Sequence, residues 1–282
     1  MTYDLLIRNG RIIDGSGMPG YSGDISIKDG KIAEIGKLSG PADRVVDAQG
    51  CVVAPGFIDN HTHFDAQVTW DPLCSNSCDH GATSVVLGNC SLSLAPVRPG
   101  TQEKLSGFLS YVEAIPMDVL RTIDVTWESV SEYMEVLDSG LGVNVGNLMG
   151  HSAIRYYVMG DAAQERAASD DEIEQMRTVV RGGMLAGALG LSISRNAGHF
   201  DPQGVPVPAL WAEEKEIFAI CDVLREMGTG IIQSGGGNGA EVKTGLMSRL
   251  SEATGRPVVY NTLLHNLKYP GQWKEQMRKI DE

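Results

Sequence analysis

The stretch VVAPGFIDNHTHFDA (residues 52–66) begins as a short apolar run and ends in two histidines, His61 and His63. A β-branched run bounded by Pro and Gly is typical of a strand that is buried on both faces of a parallel sheet. The histidines stand at positions i and i+2, so in extended chain both imidazoles point to the same side. Such a pair offers two nitrogen ligands to a metal ion, but an isolated His-x-His also occurs by chance. The other histidines and cysteines must distinguish the two interpretations.

Further apolar runs of the same kind recur along the chain, and each is followed by a helical stretch. They lie at residues 83–89, 142–150, 187–194, 228–235 and 256–264. One of the helical stretches, residues 169–187, starts with Ser169 and an acidic first turn, which is a common helix beginning. The alternation predicts an α/β fold, a (β/α)8 barrel of the TIM type, with about six of its eight units in residues 52–282. The shortfall of two units has two possible explanations: either the sheet is open, or the chain is the N-terminal part of a longer protein whose barrel is completed elsewhere. We favour the second explanation.

Residues 1–51 have a different pattern, in which short alternating strands are separated by tight-turn signals. The signals are Asn9-Gly10, Asp14-Gly15 and Asp29-Gly30. We expect a small β-sandwich segment here, incomplete without strands from a C-terminal part. The predicted domains are therefore residues 1–51 and a barrel at 52–282 that stops after about the sixth unit.

Composition limits the possible partners. The 282 residues include 36 acidic and 23 basic ones, for a net charge of -13, which argues against nucleic acid or an anionic membrane as the main partner. The start of the chain lacks the pattern of a secretory signal, and no apolar run reaches the ~18 residues that span a bilayer. Five cysteines without a framework spacing indicate reduced thiols. We expect a cytoplasmic protein; the oligomeric state is not predicted.

Histidine and cysteine recur where the predicted strands end. Cys90 ends the second run, His151 the third and His265 the sixth. The carboxyl ends of barrel strands are where barrel active sites are built. A buried Cys is usually a small hydrophobe, but beside the histidines a thiolate ligand is the better interpretation of Cys90. The pattern therefore favours a metal site.

Two blocks carry a resemblance to a known family. PGFIDNHTHFD (residues 55–65) resembles the first barrel strand of the amidohydrolase superfamily, and HGATSVVLGNCSLSLAPVRPG (residues 80–100) is similar to the N-acyl-D-amino-acid deacylases, or D-aminoacylases. Residues 144–160 and 186–194 also resemble the third and fourth strand regions of that family. The likeness extends over the whole chain.

The resemblance implies a zinc site with one or two ions. His61, His63 and Cys90 match metal ligands of the family, and His265 fits the ligand on the sixth strand. On the fifth strand, Gln233 or Ser234 stands where the family has a histidine, so Gln233 is a possible metal or substrate contact. No lysine lies near Ser192 and Ser194, where some amidohydrolases have a bridging lysine. The aspartate that acts as general base in the family is expected beyond Glu282, so no catalytic residue is named.

Other polar residues near the predicted strand ends have supporting roles in this interpretation. We expect Asp59 and Asp65 to make hydrogen bonds around the histidines or at the mouth of the barrel, and His151 to fix the third loop. The candidates for binding a substrate carboxylate are Arg155, Arg195 and His199.

The resemblance implies hydrolysis of a linear amide, which converts an N-acyl-D-amino acid to a carboxylate and a free D-amino acid. One alternative is an amidohydrolase that acts on a cyclic amide, similar to hydantoinase or dihydroorotase. The other is a non-catalytic relative with a degraded metal site. The predicted partner is a small N-acyl amino acid, and we expect these 282 residues alone to be poorly soluble and inactive.

Overall fold

The structure, a computed structural model, describes residues 2–235, 240–261, 267 and 269–281. The chain forms two compact units, Met1–Phe57 and Ile58–Glu282.

The N-terminal unit is a five-stranded mixed sheet. Its strands are β1 (Tyr3–Ile12), β2 (Tyr21–Lys28), β3 (Lys31–Gly36), β4 (Ala42–Asp47) and β5 (Val52–Val53). Their order is β3-β2-β1-β4, and β5 pairs with β1. The predicted turn at Asp29-Gly30 is confirmed, because it joins the antiparallel strands β2 and β3 with positive φ at both residues.

The predicted turn at Asn9-Gly10 is wrong. These residues lie inside β1, where the pairing with β2 shifts register between Ile7 and Gly10. Asn9 has a φ of 60°, and its backbone N–H and its side-chain amide donate to Asp24 and Asp47. The left-handed conformation that Asn-Gly favours can form a bulge within a strand as well as a hairpin turn.

The second unit contains the predicted parallel sheet. Its strands are β6 (Phe57–Asp59), β7 (Ala82–Leu87), β8 (Asn144–Gly150), β9 (Gly190–Ser194), β10 (Ile231–Gly235) and β11 (Val258–Asn261). They lie in the order β11-β10-β9-β8-β7-β6, which is the sequential order of a barrel wall. The predicted strands at residues 83–89, 142–150, 187–194, 228–235 and 256–264 are confirmed, each shorter than its apolar run. The first run, residues 52–59, is divided: Val52–Val53 pair with β1 in the N-terminal sheet, and only Phe57–Asp59 join the parallel sheet.

Helices follow or connect these strands. They are α1 (Ser75–Cys78), α2 (Gln102–Glu113), α3 (Met117–Leu120), α4 (Val130–Leu137), α5 (His151–Met159), α6 (Asp170–Leu185), α7 (Glu214–Met227), α8 (Ala240–Thr254) and α9 (Gln272–Asp281). The predicted start of α6 is confirmed, because Ser169 and Glu172 form a reciprocal capping box. Among the described helices, none has the length and apolar character needed to cross a membrane.

The register of the strands aligns their side chains in rows across the sheet. Two pairs in one row are Gly150 with Ser192 and Ser192 with Gln233; in the next row, Ser194 pairs with Gly235 and Gly235 with Asn261. We call Ser194, Gly235 and Asn261 the upper row, because they stand at the carboxyl ends of β9, β10 and β11. Residues two apart on a strand face the same side, so both rows share one face of the sheet.

Close pairing of β9 and β10 requires a glycine at position 190. Gly190 has a φ of 149°, and a Cβ atom there would lie 1.9 Å from the carbonyl oxygen of Ile231. We expect Gly190→Ala to lower the free energy of unfolding by about 3 kcal/mol, because the strands must separate to admit the methyl group. Urea denaturation measures this. The control is Gly182→Ala in α6, where nothing lies within 4 Å of the added methyl group, and equal midpoints for the two variants would contradict the prediction.

Candidate metal centre

Three of the predicted ligands meet at the carboxyl ends of β6 and β7. The ligand atoms of His61, His63 and Cys90 all lie within 4.8 Å of one another. The Sγ atom of Cys90 is 3.3 Å from Nε2 of His61. Two ligands on one tetrahedral zinc ion stand on the order of 3.5 Å apart, given Zn–N and Zn–S bonds of about 2.0 and 2.3 Å. The spacing therefore fits a shared metal ion.

The backbone of Cys90 is held in an uncommon conformation. Cys90 and Ser91 both have positive φ, at 56° and 66°. The Cys90 N–H donates to Oε1 of Gln233 at 3.0 Å, and the Ser91 N–H donates to Oγ of Ser192 at 2.9 Å. These bonds from neighbouring strands compensate for the strain of a left-handed non-glycine pair and fix the direction of the thiol.

His63 has the features of a metal ligand. Burial lowers its pKa to about 3, so the imidazole is neutral. Its Nε2 atom is 3.3 Å from Oε1 of Glu113, and its buried Nδ1 atom has no hydrogen-bond partner among the described residues. If Nε2–H donates to the carboxylate, Nδ1 presents a lone pair without a proton. A neutral imidazole whose other nitrogen is held by a carboxylate is the usual arrangement around zinc.

Glu113 was not a predicted site residue. It ends α2, within the long connection between β7 and β8, and burial raises the pKa of its carboxyl group. No local signal singles it out from the other acidic residues of that connection. Only the path of the connection back to His63 reveals its role.

Asn261 was also missed. It ends β11 in the upper row, and its Nδ2 atom is 3.2 Å from Nε2 of His61. Burial lowers the pKa of His61, so this nitrogen can accept a hydrogen bond from the amide. The available signal was its position, since Asn261 is the polar residue at the end of the sixth apolar run. His265 lies outside the described residues.

At the fifth strand, the residue that faces Cys90 is Gly235. A Cβ atom on Gly235 would lie 3.3 Å from Sγ of Cys90, whereas Gln233 lies one row lower and binds the Cys90 backbone. The fifth strand therefore presents no side chain at this position of the upper row, and Gln233 stays only a predicted metal or substrate contact.

Known proteins are similar to this chain in sequence and in fold. Residues 44–279 match the model of the amidohydrolase family. The chain belongs to the amidohydrolase family. The D-aminoacylase of Alcaligenes xylosoxydans xylosoxydans is 36% identical to it over 229 residues, which cover 80% of this chain and 43% of that relative.

Two solved amidohydrolases have the same fold. One is a D-aminoacylase described for its binuclear metal centre, with a TM-score of 0.80 at 30% identity, covering 99% of this chain and 56% of that one. The other is the N-acyl-D-glutamate deacylase of Bordetella bronchiseptica in complex with zinc and a phosphonate inhibitor, with a TM-score of 0.82 at 28% identity, covering 100% and 56%. The predicted resemblance and barrel fold are confirmed, and this chain spans about half the length of these proteins or less.

The two aspartates near the histidines have different partners from those predicted. Asp59 accepts a hydrogen bond from the Ser77 hydroxyl at 2.6 Å. Asp65 is fully buried and accepts from the backbone N–H of Gly88 at 3.2 Å, so it does not line the mouth of the barrel. Burial raises the pKa of Asp65 to about 7. Both aspartates make structural hydrogen bonds around the strand ends.

Arg155 is not on a loop that could receive substrate. It lies in α5 with a fully buried side chain, and its Nε atom is 3.5 Å from Oε1 of Glu216. His151, at the start of the same helix, is 2.7 Å from the same oxygen through Nε2. The buried cluster His151, Arg155 and Glu216 links the end of β8 to α7, in agreement with the expectation that His151 fixes the third loop.

The remaining candidates follow β9. Arg195 donates through Nη1 to the carbonyl oxygen of Ala212 at 2.9 Å and is half-buried. His199 is buried and lies 3.1 Å from Oγ of Ser194 through Nδ1. Burial lowers the pKa of His199, which favours its neutral form.

Gln233 provides a direct test of how Cys90 is held. We expect Gln233→Leu to lower the free energy of unfolding by about 1–3 kcal/mol, because the buried N–H of Cys90 loses its acceptor. The measurement is the urea midpoint, with Gln49→Leu at an exposed position as the matched control. A loss no larger than that of the control would show that the bond to Gln233 does not hold the Cys90 backbone.

Proposed function

We propose that this amidohydrolase cleaves the linear amide of N-acyl-D-amino acids with the help of zinc. The observation that carries the proposal is the cluster of His61, His63 and Cys90 at the carboxyl ends of β6 and β7. Two imidazoles and a thiol are ligands that zinc prefers, and the carboxyl ends of barrel strands are where such enzymes bind substrate.

The residues of the cluster fit a metal ion. Both imidazoles have lowered pKa values because of burial, and neutral imidazole is the form that binds metal. When bound, zinc would polarise the scissile carbonyl group and lower the pKa of a water molecule to about 7. His61, His63 and Cys90 would hold it.

The surrounding residues orient these ligands. Glu113 holds the Nε2 side of His63, Asn261 contacts Nε2 of His61, and Gln233 fixes the backbone of Cys90. Because Asn261 contacts the nitrogen that faces Cys90, its amide has to turn or withdraw when that nitrogen binds an ion. The three ligands are thus held near the positions needed to bind an ion, and Asn261 is the neighbour that has to move.

The choice of a linear N-acyl-D-amino acid over a cyclic amide has two supports. Relatives with about a third of their residues identical are a D-aminoacylase and an N-acyl-D-aspartate deacylase. In addition, β9 has Ser192 and Ser194 on the face of the rows and no lysine in Gly190–Ser194. The Ser192 hydroxyl is hydrogen-bonded to the backbone of Gly88 and Ser91, so this strand has a serine in a structural role where some amidohydrolases have a bridging carboxylated lysine.

Metal analysis together with a substrate panel tests the proposal. We expect the purified full chain to bind zinc and to hydrolyse N-acetyl-D-amino acids faster than their L forms or cyclic ureides. Cys90→Ala should lose zinc and activity together, whereas Cys51→Ala, at an exposed thiol, should lose neither. Zinc content and activity that are unchanged in Cys90→Ala would refute the assignment, and hydrolysis of cyclic ureides alone would favour the cyclic-amide alternative. Zinc binding without any hydrolysis would favour a non-catalytic relative.

Glu113 should control the affinity for zinc without being a ligand. We expect Glu113→Ala to weaken zinc binding about 10–100-fold, because His63 loses the carboxylate that orients its ring. Competition with a chelator measures the dissociation constant. Glu103→Ala, on the same helix but in an exposed pair with Arg121, is the matched control and should leave the affinity unchanged. Equal zinc affinities for the two variants would remove Glu113 from the centre.

A further inference from the structure

The amide of Asn261, at the end of β11, lies at ligand distance from the proposed metal centre. Its Nδ2 atom is 3.2 Å from Nε2 of His61, and the Sγ atom of Cys90 is 3.3 Å from the same nitrogen. Two ligand atoms that share one tetrahedral zinc ion, with bonds of about 2.0–2.3 Å, stand roughly 3.3–3.5 Å apart. The edge of the Asn261 amide is therefore placed like a further ligand of an ion that is bound to His61.

The hydrogen bonds around His199 determine which of its ring nitrogens carries the proton. The Oδ1 atom of Asn196 accepts from the Gly198 N–H at 3.0 Å, so the amide nitrogen of Asn196 is the atom that faces Nε2 of His199 at 2.9 Å. Because that amide nitrogen can only donate, Nε2 of His199 accepts. Burial lowers the pKa of His199, so the ring is neutral and its proton is on Nδ1.

The other two residues of the upper row offer no free lone pair to an ion. Gly235 has no side chain. The Oγ atom of Ser194 accepts from the Nδ1–H of His199 at 3.1 Å and from the backbone N–H of Asn196 at 3.3 Å. A hydroxyl oxygen has two lone pairs, so both are engaged and Ser194 keeps only its proton to offer. Within the upper row, a further ligand atom can therefore come only from Asn261.

The Asn261 side chain can turn without losing any other hydrogen bond within the described part of the chain. Its contact with His61 is the one hydrogen bond that this side chain makes there, and the residue is half-buried. The terminal torsion of asparagine is soft and nearly twofold, and a half turn about it exchanges Nδ2 and Oδ1. The amide can thus present either a donor or an acceptor at the same place beside His61.

A bound ion would favour the turned amide. In the structure, Nδ2 donates to the lone pair of Nε2 on the neutral His61 ring. An ion on that nitrogen would take up the lone pair, repel the amide N–H and attract the amide carbonyl oxygen. We propose that Asn261 turns its amide when metal binds, so that Oδ1 becomes a fourth protein ligand beside His61, His63 and Cys90. The inference rests on the proposed function only for the presence of the ion, and a five-coordinate zinc ion would still have room for a water molecule.

Removal of the Asn261 amide distinguishes a ligand from a competitor of the ion. If the amide only withdrew, its removal would free Nε2 of His61 and strengthen metal binding. Because a ligand contributes to the affinity instead, we expect Asn261→Ala to weaken the binding of cobalt and zinc by the full chain about tenfold. Competition with a chelator measures both dissociation constants. The thiolate–cobalt absorption should persist, since Cys90 is unaltered, whereas the visible cobalt bands should change with the loss of an oxygen ligand.

A second variant and a matched asparagine complete the experiment. Asn261→Asp places a carboxylate oxygen at the same position without an N–H, so it should bind cobalt at least as tightly as the unaltered chain. The controls are Asn144→Ala and Asn144→Asp, which alter an exposed asparagine at the amino end of β8 in the same sheet and should leave the affinity unchanged. Urea midpoints of the metal-free variants show whether each of them folds.

The outcomes separate the fourth ligand from the proposed function. If Asn261→Ala binds cobalt more weakly but the unaltered chain hydrolyses no N-acyl amino acid, the proposed function fails and the ligand stands. A cobalt affinity of Asn261→Ala equal to or above that of the unaltered chain would overturn the ligand, even where hydrolysis is observed. Equal affinities of Asn261→Asp and Asn261→Ala would also overturn it, as would failure of the unaltered chain to bind cobalt. Weaker binding by His265→Ala but not by Asn261→Ala would assign the fourth ligand to His265 instead.

Discussion

The arrangement of the whole site depends on the in-register parallel pairing of the strands. Pairing of Ser194 with Gly235 and of Gly235 with Asn261 brings the ends of three strands to one level. The neighbouring pair β7 and β8 tolerates little bulk, because a Cβ atom on Gly88, just after β7, would lie 1.8 Å from the Leu148 carbonyl oxygen. A shift of one residue would turn every side chain of a row to the opposite face. Glycines that lie against a neighbouring strand, such as Gly88 and Gly190, are therefore needed for the close pairing that brings the strand ends together.

Burial gives the ligands their protonation state. The pKa of His63 falls to about 3 through burial, while burial raises the pKa of Glu113. Burial disfavours the charged form of each group, so without a bound cation both His63 and Glu113 favour their neutral forms. A bound zinc ion would reverse this for Glu113, because its positive charge lowers the pKa of a nearby carboxyl group. The centre is therefore electrostatically suited to a cation, and the buried Nδ1 atom of His63, which has no hydrogen-bond partner within the described part of the chain, is available as a ligand.

The sequence predicted most of the parallel strands and three of the polar residues that meet at their ends, His61, His63 and Cys90. Val-rich runs predicted the strands, and the two-residue period predicted that His61 and His63 share a side. It could not identify Glu113 or Asn261, because their roles depend on where a long connection and a distant strand meet His63 and His61. The sequence also pointed to Gln233 rather than Gly235 on the fifth strand, because a glycine has no side chain that could act as a ligand. The register of the strands, which the sequence does not show, places Gly235 opposite Cys90.

The ends of β9 and β10 carry a hydroxyl and no side chain, respectively, since Ser194 pairs with Gly235. A ligand on β10 would add a lone pair to the metal ion, whereas this chain has Gly235 there and a hydroxyl on the adjacent strand at the same level. The bonds from His199 and Asn196 leave that hydroxyl only its proton to offer. This side of the centre therefore lacks an electron donor among the described residues and contains a hydrogen-bond donor instead.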